Sequence, residues 1–148
     1  MRLPRMLLLA GAVLNICAAA LHIAIIFVPE WSTIFGERRE SNRLLFQIVT
    51  LGVTILLLIW ALYGLSGAGL IRRLPLLRLG IFLVGVIYIP YGLLAGSRLL
   101  GLADFLPPSS AVHLQDVVIV LGALFAGIFY WAGLALGWRQ LGRSSVSA

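Results

Sequence analysis

LLFQIVTLGVTILLLIWALYGL, residues 44–65, carries no charged side chain. As a helix rising about 1.5 Å per residue it covers roughly 33 Å, enough to cross a hydrocarbon core of about 30 Å. Toward the carboxyl end it runs into the glycine-rich stretch Gly64-Leu65-Ser66-Gly67-Ala68-Gly69, then Arg72, Arg73 and Arg78. A third apolar block follows over about residues 77–95, interrupted by Pro90, and a fourth over about 112–138. Toward the amino end, a first block covers about 6–28 behind Arg2 and Arg5. The pattern predicts an all-α, polytopic membrane protein, one integral domain over 1–148 folded as an up-down bundle of four transmembrane helices.

Composition agrees. Of 148 residues, 61% are hydrophobic and 11% charged, whereas a soluble domain carries roughly 25% charged residues. A soluble cytosolic fold is excluded on that ground. The formal charge of +6 comes from Arg alone, with no Lys, and topology accounts for it without nucleic acid, because basic residues collect beside spans on the cytoplasmic side. The single cysteine, Cys17, allows no internal disulfide, and no Cys or His pair has structural-zinc spacing.

The first block could be mistaken for a signal peptide cleaved near Ala18-Ala19-Ala20. It stays apolar through Ile25-Ile26-Phe27, beyond an h-region of about 7–15 residues, so it is expected to remain attached. Ile16 before Cys17 also argues against a lipoprotein site.

Orientation follows from the Arg count. Arg2, Arg5, Arg72, Arg73, Arg78, Arg139 and Arg143 fall on one side of the four spans, and Arg38, Arg39, Arg43 and Arg98 on the other. Both termini are therefore expected in the cytoplasm. Glu30, Glu37, Glu40 and Asp104 all belong to the outer connections. Trp31 near one interface, with Trp60, Trp131 and Trp138 near the other, fits aromatic belts. The Ser-rich tail, about 144–148, reads as disordered.

Polar residues inside spans are costly unless they face the protein or water. Asn15 and His22 lie two turns apart on one stripe of span one, with Gly11 and Ala18 between or beside them. Gln47, Thr50 and Thr54 recur at helical spacing in span two; Tyr88 and Tyr91 flank the helix-kinking Pro90 in span three. His113 and Asp116 share a face at the start of span four. Counting helical rise from the outer ends puts His22 and Asp116 at similar depth. The expectation is an outward-facing polar pocket centred on that pair, with Gln47, Tyr88, Tyr91, His113 and Asn15 as further ligand-binding or proton-transfer candidates. Against it stands the reading that such groups are interhelical hydrogen-bond glue, each worth about 0.6 kcal/mol. No catalytic residue and no metal site is expected. The pairs Gly92/Gly96 and Gly133/Gly137 predict close helix approach, within the chain or between copies.

Leu21-His22, Pro29-Glu30-Trp31, Phe35-Gly36-Glu37-Arg38 and the run from Ala61 through Gly69 to Pro75 resemble a group of small four-span bacterial inner-membrane proteins. The resemblance covers about residues 21–75 and implies a four-helix inner-membrane architecture. It implies no activity.

Three function classes remain. The first is a non-enzymatic accessory or envelope-associated factor, seated in the lipid bilayer with a homodimer or membrane-complex partner. The second binds haem, a metal or a small ligand through His22 with His113 or Asp116, two His plus a carboxylate being a metal-binding set. The third is a small dimeric proton-coupled transporter using Asp116, although small four-span drug exporters place their essential acid in the first span, where this chain has His22.

Overall fold

The computed structural model describes residues 2–27, 43–99 and 114–141. These form helices α1 (Leu3–Phe27), α2 (Arg43–Ala68), α3 (Leu77–Leu99) and α4 (Leu114–Leu141). All four are long and apolar enough to cross a membrane. The all-α expectation holds, each apolar block having become one helix. The first and third connections with their acids and Trp31, the residue His113, and the tail at 144–148 lie outside the described residues.

Local chemistry sets the helix ends. The Arg2 carbonyl accepts the N–H groups of Arg5 and Met6 at 3.0 and 3.2 Å, and Pro4 occupies the first turn, where a missing N–H costs nothing. The second helix passes Gly64 and Gly67 and stops at Ala68. Gly69 adopts φ +81°, a left-handed conformation that glycine enters without a Cβ clash. Its N–H bonds the Ser66 carbonyl at 3.1 Å and that of Leu70 bonds the Leu65 carbonyl at 3.0 Å, the paired bonds of a Schellman cap.

Ser66 also organises the turn that follows. Its hydroxyl donates to the Arg72 carbonyl at 3.2 Å and accepts the Leu74 N–H at 2.9 Å. Leu76 takes φ +51°, a left-handed geometry costing a non-glycine residue about 1–2 kcal/mol. Its carbonyl receives the Gly80 N–H at 2.9 Å and opens α3. That helix continues through Pro90.

Each helix packs against its neighbours in sequence, and α1 closes the ring against α4; of these four adjacent pairs α2 and α3 touch least. Within the apolar windows only 22–39% of each span is buried, so one narrow face of each helix points inward and the rest is exposed. The core cluster of Leu8, Ala68, Leu77, Ile81, Val84, Tyr130 and Leu134 sits toward the end that carries the Arg72-Arg73 turn. Both small-residue pairs are used within the chain. A Cβ on Gly133 would lie 2.6 Å from Leu8 Cγ and 3.2 Å from the Pro4 carbonyl oxygen; one on Gly92 would lie 2.6 Å from Leu124.

Candidate functional site

In α1 the residues Leu8, Gly11, Ala12, Asn15 and Ala19 are buried, a stripe at three- and four-residue spacing that faces the bundle. Asn15 is 1% exposed, and an amide so placed must find partners. Its Nδ2 donates to the Tyr130 hydroxyl at 3.0 Å, while its Oδ1 accepts the Tyr88 hydroxyl. Tyr130 in turn donates to the Trp60 backbone carbonyl at 2.7 Å. The Trp60 ring meets Tyr88 edge-on, with centroids 4.9 Å apart and an interplanar angle of 68°. One hydrogen-bonded chain, Tyr88 to Asn15 to Tyr130 to Trp60, thus crosses all four helices. It lies about 12–18 Å along them from the end with the Arg turn, counting helical rise.

Two glycines make the slot for the Tyr130 phenol. A Cβ on Gly11 would lie 2.7 Å from the Tyr130 ring, and one on Gly64 would lie 2.7 Å from its hydroxyl and 2.9 Å from the Leu8 carbonyl oxygen. With that room Tyr130 is 0% exposed.

The other candidates stand apart from this layer. His22 is half-buried, with Nδ1 2.8 Å from the Ala18 carbonyl oxygen of its own helix. A carbonyl only accepts, so Nδ1 carries the hydrogen, and in the neutral ring Nε2 then keeps its lone pair. Gln47 is half-buried. Thr50 and Thr54 are buried, and the Thr54 hydroxyl donates to the Thr50 carbonyl at 2.8 Å, which satisfies it within α2. Tyr91, one turn from Tyr88, is 51% exposed and points away from the bundle. Cys17 is also exposed. Asp116 belongs to the first turn of α4, but its side chain, like the whole of His113, lies outside the described residues, and so therefore does the expected pairing with His22. Among the described residues no three His, Cys, Asp or Glu side chains converge on a metal-sized site.

The sequence reading found Asn15 and Tyr88 but not Tyr130 or the Trp60 carbonyl. Trp60, a headgroup-belt residue by its sequence position, is half-buried and packs against the core. The available signal was the glycine at Gly11, one turn before Asn15, which opens space for a large partner. No protein-family model, curated protein or solved structure matches this chain. The class defined by the fold and the layer is an all-helical four-helix bundle compatible with an integral, multi-pass membrane protein.

Proposed function

We propose that this chain is a non-enzymatic integral protein of the bacterial inner membrane, an accessory or envelope-associated factor, arranged as an up-down bundle with both termini in the cytoplasm. The observation that carries this reading is the Tyr88-Asn15-Tyr130-Trp60 chain. Asn15, the most deeply buried of the polar side chains among the described residues, spends its hydrogen bonds on holding helices together, which is the glue role. The topology is supported by contacts at one end. Leu8, near the start of α1, meets Gly64 and Gly67, near the finish of α2, and Gly133 in the last third of α4, while Arg78, at the start of α3, reaches Trp138 in α4. Arg2, Arg5, Arg72, Arg73, Arg78 and Arg139 all belong to that end, as a cytoplasmic face requires.

A second reading rests on His22. Its Nδ1–H is held by the Ala18 carbonyl, the arrangement that leaves Nε2 free to ligate, so a haem, metal or small-ligand site completed by Asp116 or His113 is the competing proposal. Native mass spectrometry of the protein released from nanodiscs separates the two. The accessory reading predicts a chain with no stoichiometric non-lipid adduct, unchanged by His22→Ala. An adduct lost in that variant would overturn it in favour of ligand binding. Carboxyl-terminal reporter fusions test the orientation, with fluorescence of a cytoplasm-only reporter expected and activity of a periplasm-only reporter contradicting it.

A further inference from the structure

All five acidic residues of the chain fall within 30–40 and 104–116. The segments that build the Arg-bearing end therefore contain no Asp or Glu, and any neutralising anion from this chain's acidic side chains would have to come from outside those segments. Two C-terminal helix ends, of α2 and α4, also point there, and their exposed carbonyls disfavour an anion. Both are masked. The α2 carbonyls of Ser66 and Leu65 are taken by the Gly69 and Leu70 N–H groups. At the α4 end, the Trp138 carbonyl accepts the Arg78 guanidinium at 2.6 Å, and that guanidinium lies 4.4 Å from the Trp138 ring centroid, a cation–π contact. Arg78 is thus committed to capping α4.

Arg5 and Arg73 belong to a cleft at the same end. With Ser66, Gly69, Pro4 and Gly137 they line a cleft of about 90 Å³ between the start of α1 and the ends of α2 and α4. The positive φ of Gly69 keeps its face of the cleft free of a side chain, and a Cβ there would lie 3.8 Å from the Arg5 guanidinium carbon. Beside the cleft the turn exposes Leu70, Ile71 and Leu76, at 57%, 38% and 72%. Apolar side chains next to arginines are suited to the headgroup boundary, where the former enter the acyl region and the latter remain at the phosphates.

We propose that this cleft binds the phosphate group of an anionic phospholipid from the adjoining leaflet, with Arg5 and Arg73 as the cationic contacts and Leu70, Ile71 and Leu76 against the acyl chains. Guanidinium groups suit phosphate because their N–H pairs match its oxygens. The Ser66 hydroxyl already serves Arg72 and Leu74, so its part is to hold the turn in shape.

The test is native mass spectrometry of the full-length protein titrated with phosphatidylglycerol or with phosphatidylcholine of the same chains, together with thermal stability in each lipid and in inorganic phosphate. One phosphatidylglycerol should be retained in preference to phosphatidylcholine and should raise the melting temperature. Arg5→Gln and Arg73→Gln should each weaken retention by about fivefold, the scale of one basic residue at an anionic surface. Arg5→Lys should retain more binding than Arg5→Gln, a control for folding, and Arg139→Gln, at the same end but outside the cleft, should change retention less than twofold. Equal retention of the two lipids would overturn the proposal. So would equal losses from Arg5→Gln and Arg139→Gln, which would mean diffuse surface charge. Stabilisation by inorganic phosphate as large as that by the lipid would reassign the cleft to a soluble ligand and contradict the lipid assignment.

Discussion

Asn15 and His22 lie on one stripe of α1, two turns apart, and behave differently. Asn15 is sealed in the bundle and bonds to side chains of α3 and α4. His22 is half-buried and bonds a carbonyl of its own helix. The contrast extends to the neighbourhoods. Around Asn15 the helices approach closely enough that Gly11 and Gly64 have no room for a Cβ, and the core cluster continues from there to the Arg-bearing end. Around His22 the polar groups of α1 and α2 turn back on their own helices, as Thr54 does on Thr50. Equal polarity in a span therefore does not mean equal bonding: Asn15 bonds across helices, whereas His22 and Thr54 bond within their own.

The largest effect that could break this comparison is expected from Gly64→Leu. Its side chain would meet the Leu8 carbonyl, which is backbone and cannot swing away. The cost should be about 3 kcal/mol, the upper range for overpacking, read as loss of the folded fraction in denaturant titration. Next comes Asn15→Ala, which strands the Tyr88 hydroxyl and removes a donor from Tyr130; about 2 kcal/mol should be lost in the same titration. Tyr130→Phe keeps the ring and deletes the hydroxyl, so about 1 kcal/mol is expected. Ser66→Ala should cost a similar amount or less, about 0.5–1 kcal/mol, but appear locally, as faster amide exchange of Leu74 in the turn. His22→Ala should change stability by less than about 0.5 kcal/mol. A loss as large as that of Asn15→Ala would erase the distinction between the two residues.

Much of this architecture was legible from composition and block length, because a span must satisfy its backbone internally and so declares itself as a long apolar helix. The second and third helices begin within one residue of their apolar blocks, and the third continues through Pro90. The second helix runs past the apolar block that ends at about Leu65 and stops at Ala68. Glycine punctuates soluble helices, but Gly64 and Gly67 here serve close packing, and only Gly69 takes the left-handed angle that ends the helix. The polar layer was legible in half. Asn15 and Tyr88 stood out as polar groups in apolar runs, whereas Tyr130 lay alone in its block, with no periodic polar partner to mark the inward face. Its acceptor, the Trp60 carbonyl, is backbone, and side-chain patterns carry no record of which carbonyl a neighbouring helix will reach. The assignment of Trp60 to an aromatic belt weighed its indole as an interface anchor and missed the Tyr88 ring beside it.

The central claim is that the intramembrane polar layer holds the four helices to one another. A double-mutant cycle between Asn15→Ala and Tyr130→Phe, measured by reversible unfolding in bicelles, tests it most directly. The two residues should be coupled by about 0.6–1.7 kcal/mol, the range measured for interhelical hydrogen bonds in membranes, so the double variant loses less than the separate losses combined. Strictly additive losses, with no coupling, would contradict the claim.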